Sequence, residues 1–183
     1  DKVKDICSKH KKDAYKDFQV LVPMYKTLNG IDNLNKAIQE IFNPKSSKKK
    51  EYVLGDIVYR ENDKILQLTN MPDENIFNGD IGIISSIDKK EIIIDFDGNL
   101  VRFTPSNFNK FKHGYAISIH KSQGSEFGLV IVPFSFKYWI MLKRKLIYTA
   151  ITRAKKYLIM LGNVEALRRG ITQIEEKRKI FQS

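Results

Sequence analysis

One cysteine, Cys7, stands in 183 residues. A single thiol excludes an internal disulfide and a cysteine-based zinc cluster. Histidine is scarce as well: His10, His113 and His120 are the whole supply, too scattered for a metal-ligand spacing. No apolar run approaches transmembrane length and no signal peptide is visible. A reducing cytoplasm, without a membrane, is therefore the expected setting. No Ser–His–Asp arrangement is legible, and the phosphate-loop pattern G-x-x-x-x-G-K-[ST] occurs nowhere. The first residue, Asp1, is not methionine, so a segment of a longer chain is the expectation.

What is present is positive charge and enough apolar material for a core. The formal net charge is +11, the sequence pI is about 9.6 and hydrophobic residues make up 42%. A basic balance of this size suits a polyanion such as nucleic acid, although solvated surface lysines produce the same number. The charge is uneven. Residues 1–50 hold 12 basic and 6 acidic groups, residues 51–110 hold 6 and 11, and residues 111–183 hold 14 and 4. Two basic flanks enclose an acidic middle.

The periodicities change at the same places. Residues 2–15 carry a narrow helical stripe of Val3, Ile6, Cys7, His10 and Ala14. "FQVLV" (18–22) reads as a short buried strand closed by Pro23. Ile31, Leu34, Ile38, Ile41 and Phe42 then recur at helical spacing, after Gly30 and before Pro44. "NPKSSKKKEYVLG" reads as an exposed linker. The middle reads as all-β: strands at 55–60, 64–70 and 77–87, then a hairpin over 89–104 turning at Asp97–Gly98–Asn99. About five short strands suggest a small SH3-like or OB-like barrel. Strands at 115–119 and 129–132, a helix in "MLKRKLIYTAITRAKK", the strand "YLIML" (157–161) and a basic helix over 164–179 return to α/β. The fold class expected is thus α/β, a parallel-sheet domain split in sequence, over 1–50 and 113–183. The all-β barrel is inserted at 51–112.

Three stretches could carry chemistry. "YAISIHKSQGSEF" (115–127) leaves a strand end, where ligands of open α/β sheets bind. Gly124 permits close backbone approach. Lys121, Ser122 and Gln123 offer donors to phosphates or base edges, and Glu126 can accept from a hydroxyl. An ordinary polar loop would have the same composition. In "YTAITRAKK" (148–156), Arg153 offers a planar fork suited to phosphate; a lone helical arginine is also often just a surface charge. Lys26 follows the end of the first strand, where a solvated lysine is equally at home.

Taken together, "YAISIHKSQGSEF" and "LIYTAITRAKK" resemble motifs V and VI of superfamily 1 DNA helicases. "FQVLVPMYKTLNGIDNLNKAIQEIFNP" resembles the start of the second motor domain, 2A, in the RecD-like branch. "GDIVYRENDKILQLTNMPDENIFNGDIGII" resembles that branch's SH3-like insertion, domain 2B. The resemblance runs from about Lys16 to Gly162. It implies a RecA-like parallel-sheet motor domain with an inserted SH3-like barrel.

Roles follow residue by residue from the resemblance. Gly124 and Glu126 match motif V positions that meet the nucleotide, Glu126 at the ribose. Arg153 matches the motif VI arginine that reaches the γ-phosphate, an arginine finger. Lys26 is the stand-in for a motif IV arginine that has no clear match. His120 and Ser122 fall where motif V contacts single-stranded DNA, with Lys121 and Gln123 beside them. In the barrel, Lys64, Gln67, Asn70 and Asn78 are DNA candidates. The phosphate-loop lysine and the Mg²⁺-binding acidic pair of the first motor domain have no counterpart here. ATP and Mg²⁺ are thus expected only with the rest of the enzyme, and this chain alone should be inactive. The implied partners are single-stranded DNA, the N-terminal motor domain of the same protein and nuclease or helicase subunits of a RecBCD-like complex. The implied activity is ATP-dependent unwinding, 5′ to 3′ in this branch. The alternative is a non-catalytic nucleic-acid-binding module on a helicase-like fold.

Overall fold

Two β units share one chain, and the first of them is parallel throughout. The computed structural model describes residues 17–22, 28–133 and 144–161. The helices expected at 2–15 and 164–179, and Lys26, lie outside the described residues. Strand β1 (Phe18–Val22) sits between β9 (Ala116–Ser118) and β10 (Phe127–Pro133), and β10 pairs in turn with β11 (Ala154–Leu161). The sheet order is β11-β10-β1-β9. Both faces are covered, which is why β1 is an unbroken apolar run apart from one glutamine. Val20, Val22 and Ile131 pack on one side against helix α1 (Leu28–Phe42), through Ile31 and Ile38. Leu21, Ile117, Val130 and Val132 face the other side, with Ala150 of helix α2 (Arg144–Thr152).

Helix α1 begins before Gly30 rather than after it. Its apolar stripe outweighs the low helix propensity of one glycine in the first turn. It stops at Phe42, two residues before Pro44, whose ring disfavours helical backbone at the residue preceding it.

Between the halves of the sheet lie seven strands, not five. Strands β2 (Glu51–Leu54) and β3 (Ile57–Arg60) form an antiparallel ribbon. Strands β4 (Lys64–Gln67), β5 (Ile81–Ile87), β6 (Ile92–Phe96), β7 (Asn99–Phe103) and β8 (Phe111–His113) form an antiparallel sheet in the order β7-β6-β5-β4-β8. The segment read as a linker thus ends in β2, where Tyr52 packs on the barrel core. The β6–β7 turn is as expected: Asp97 and Gly98 both have positive φ, 54° and 92°, the backbone of a two-residue hairpin turn. The acidic excess of this unit is partly structural. Glu61, Asp80 and Asp95 each accept backbone N–H groups at turns or strand ends.

Strand β4 is the seam. All four of its residues are buried, because each of its faces meets a different core. Ile65 packs into the barrel cluster, whereas Leu66 packs with Leu21, Ile117, Ile119 and Phe127 of the parallel sheet. Lys64 and Gln67 are therefore not DNA contacts: both are fully enclosed. Lys64 Nζ donates to Phe18 O at 2.6 Å and lies 5.6 Å from the Phe127 ring centre. Gln67 Nε2 donates to Thr69 O at 3.0 Å.

Beside Lys64, the Asp63 carboxylate joins three elements. Gln39 of α1 and Asn43 just past its end donate to it at 2.7 and 2.8 Å, the Arg60 backbone N–H at 2.7 Å and the Tyr115 hydroxyl at 2.8 Å. His113 Nε2 lies 2.9 Å from Oδ2. Arg60 continues the seam through Glu40 and Glu51, at 2.7 and 2.8 Å.

Burial pushes the Lys64 ammonium down from 10.5 to about 7, with Asp17 pulling the other way. Between about pH 7 and 10.5 the unfolded chain therefore holds a proton that the folded chain has released. Stability then rises with pH across that window, by up to about 1.4 kcal/mol per pH unit from this one group. Urea unfolding of wild type and Lys64→Met between pH 7 and 10 should show a steeper rise in wild type. Parallel pH profiles would contradict a buried, titrating Lys64.

Candidate nucleotide and nucleic-acid site

The polar run after β9 folds as a tight crossing. Ser118 ends β9, and a 3-10 turn follows over Ile119–Ser122. Ser118 Oγ accepts from Lys121 N at 3.4 Å. Ser122 is fully buried and its hydroxyl donates to Ile119 O at 2.5 Å. The Ser122 side chain thus fastens the turn and offers no exposed atom to a strand, a correction to its expected role. Its neighbours His120, Gln123 and Gly124 are exposed, and Lys121 is half-buried. Gly124 has φ +82°, with open space where a side chain would stand. Only glycine takes that backbone without strain.

The loop leaves the carboxyl end of the sheet, as expected, but it does not finish there. Ser118 pairs with Val22, the last residue of β1, and Leu129 pairs with Phe18, the first. Four residues of strand, roughly 13 Å, separate those levels. His120 and Lys121 therefore lie toward the carboxyl ends of the strands, while Glu126 lies at the amino end.

At that amino end the second motif arrives. Arg153 is not within a helix: α2 stops at Thr152, and β11 begins at Ala154, earlier than the expected "YLIML". Phe127 N donates to Arg153 O at 2.7 Å. Glu126 and Arg153 therefore flank the starts of neighbouring strands. Among the described residues the Arg153 guanidinium reaches only Thr152 Oγ1, at 3.3 Å, and its buried Nε has no partner. Among the described residues no carboxylate pairs with it. A buried guanidinium N–H left unmatched is costly, and a phosphate oxygen is the acceptor its fork fits. Lys155 Nζ lies 3.6 Å from Glu126 Oε2, with both side chains mostly exposed. Lys155 was missed in the sequence because "AKK" reads as the end of a helix. It lies instead in the first residues of β11.

At the other end, the barrel comes to the loop. Lys121 Nζ donates to Asn78 Oδ1 at 2.7 Å. Asn70 Oδ1 accepts from Asn78 N at 2.9 Å and holds that turn. So Lys121 and Asn78 are brought together, and Asn70 supports Asn78. Among the described residues no group of His, Cys, Asp and Glu could hold a metal ion, and no helix is long and apolar enough to cross a membrane.

Comparison with known proteins agrees with this fold. The ATP-dependent RecD-like DNA helicase SH3 domain matches residues 34–96, and the UvrD-like helicase C-terminal domain matches residues 113–161. The first match starts inside α1 and takes in Gln39 and Asn43, which bind Asp63. An ATP-dependent RecD2 DNA helicase of Deinococcus radiodurans is 34% identical over 87% of this chain and 22% of its own length. A RecBCD enzyme subunit RecD of Buchnera aphidicola is 27% identical over 83% of this chain and 26% of its own. The chain thus spans about a quarter of the length of the curated relatives it matches. A Pif1 helicase from Bacteroides, solved with ADP-AlF3 and single-stranded DNA, has the same fold. It aligns with a TM-score of 0.56 at 15% identity, over 85% of this chain and 44% of that one. The two matched domains, one after the other, make up the C-terminal region of a helicase, with a parallel sheet and an antiparallel SH3-type unit. Within that class, this chain belongs to the RecD-like family.

Proposed function

We propose that this chain is the second motor half of an ATP-dependent DNA helicase that moves 5′ to 3′ on single-stranded DNA. Residues 1–50 and 113–183 form its split motor domain and residues 51–112 the insertion. The observation that carries this reading is the pairing of the two motifs. Arg153, with a buried and unmatched Nε, stands next to the end of the loop that begins at His120.

Positive charge from Arg153 would meet the phosphoryl group in the transition state, where negative charge spreads over its oxygens. Glu126 accepts from a ribose hydroxyl, and Gly124 lets the backbone pass close to the nucleotide. Lys155, 3.6 Å away, balances the Glu126 charge. The strand runs past His120, Lys121, Gln123 and Asn78 at the far end of the same loop. One eight-residue crossing, Ile119–Glu126, thus spans the two ligands. A shift of the Glu126 end on hydrolysis would be felt at the DNA end, because Ser122 and Ser118 make the turn stiff. The phosphate-binding lysine and the Mg²⁺ ligands would come from the N-terminal motor domain, and other subunits of a RecBCD-like assembly would join the whole protein.

ATP hydrolysis by the full-length protein, with and without oligothymidylate, tests this reading. Turnover that single-stranded DNA stimulates is expected. Turnover that is absent under both conditions contradicts it and favours a non-catalytic binding module.

A further inference from the structure

Lys112 was not among the sequence candidates, and its place in the barrel is unusual. It lies in β8 between Phe111 and His113, both buried in the barrel. Strand alternation turns it to the opposite face. Its cross-strand partner is Leu66, which packs with Ile117 of the parallel sheet and Ile119 of the 3-10 turn. Lys112 therefore points into the seam, below the turn that carries Lys121. Lys121 reaches across the same seam to Asn78.

The two ammonium groups feel one another. Burial lowers the Lys112 pKa most, Asp32 pulls it back up, and the charge of Lys121 adds a smaller push down. Among the described residues neither lysine has a carboxylate at ion-pair distance. Asp32 acts from beyond ion-pair distance, and an anion seated between the two ammonium groups would neutralise them at contact distance. The hydrogen bonding leaves room for one. Lys121 gives one of its three donors to Asn78 Oδ1, which leaves the Asn78 NH₂ as a further donor at the same point.

The geometry points to Lys112, Lys121 and Asn78 as a seat for a phosphodiester of single-stranded DNA, shared between barrel and motor sheet. This rests on the helicase reading above, and assigns the barrel a phosphate contact despite its acidic balance. Nucleotide phosphate shares the chemistry, so the test must separate the two sources.

The experiment is a salt titration of oligothymidylate binding to the full-length protein, read by fluorescence anisotropy without nucleotide. Each phosphate contact contributes about 0.7 to the slope of log K against log salt on a single strand. Lys112→Met, which keeps the aliphatic stem, should lower the slope by about that amount. Lys121→Met should do the same, and Lys112→Arg should keep the wild-type slope. The KM for ATP should stay within about twofold in all three, since a contact confined to DNA leaves uniform nucleotide binding intact. If Lys112→Met does not yield folded protein, Lys112→Gln serves in its place. An unchanged slope on losing the Lys112 charge would overturn the seat. A raised KM for ATP with an unchanged slope would assign the pair to nucleotide instead. Wild-type protein whose DNA binding ignores salt would count against the helicase reading itself.

Discussion

Replacing Arg153 by alanine in the full-length protein should lower ATP turnover by about a thousandfold or more, the range of an arginine finger. DNA affinity should stay within about twofold, because the DNA end of the loop stands roughly 13 Å away along the strands. The structural basis is the lack of any competing role. Among the described residues the guanidinium reaches only Thr152 Oγ1, and Nε has no partner. Removing it therefore breaks no ion pair among the described residues. Arg153→Lys should recover little, since an ammonium cannot offer two parallel N–H groups to a phosphate. Steady-state hydrolysis at saturating DNA checks both variants. Turnover near wild type in Arg153→Ala would remove the arginine from the chemistry. An equal loss of turnover and of folded protein would make its role structural.

The second large effect concerns the seam. Asp63→Ala removes the acceptor of Gln39, Asn43, the Arg60 N–H and the Tyr115 hydroxyl, and leaves His113 facing a void. Stranding several buried donors costs about 3–5 kcal/mol, as when one partner of a buried pair is deleted. That is a large share of the 5–15 kcal/mol typical of a whole domain, roughly enough to unfold a marginal one. Asp63→Asn keeps the volume but points an NH₂ group at donors, so it should lose somewhat less. Urea unfolding should give midpoints in the order wild type, Asp63→Asn, Asp63→Ala. A midpoint for Asp63→Ala close to wild type would show that the α1, barrel and sheet contacts do not depend on this carboxylate.

The parallel sheet was legible because each strand carries its own signal. "FQVLV" is apolar throughout, and β10 reads the same way, since both faces of the sheet are covered. The β6–β7 hairpin was legible from Asp97–Gly98, whose turn needs positive φ twice. The helicase motifs were legible as residue types, and their proximity follows from the register of Phe127 with Ala154. What escaped is what depends on distant partners. Asp63 reads as one more acidic residue in an acidic segment, yet its donors lie up to 52 residues away. Lys64 and Gln67 read as exposed polar residues, and are buried because β4 has a core on each face. Ser122 could not be told from its exposed neighbours, since a 3-10 turn aims its hydroxyl inward. Strand β2 was hidden behind Lys48–Lys50, whose charge suggested continuous loop. The seat at Lys112 was invisible for the same reason as the seam: it exists only where two units meet.

These distant contacts give the proposed motor its form: barrel and sheet held as one piece, one loop bridging nucleotide and strand. Strand displacement by the full-length protein, on duplexes carrying either a 5′ or a 3′ single-stranded tail, tests that account most directly. It predicts ATP-dependent release of the displaced strand from the 5′-tailed duplex and not from the 3′-tailed one. No release from either duplex, with ATP hydrolysed or not, would contradict it.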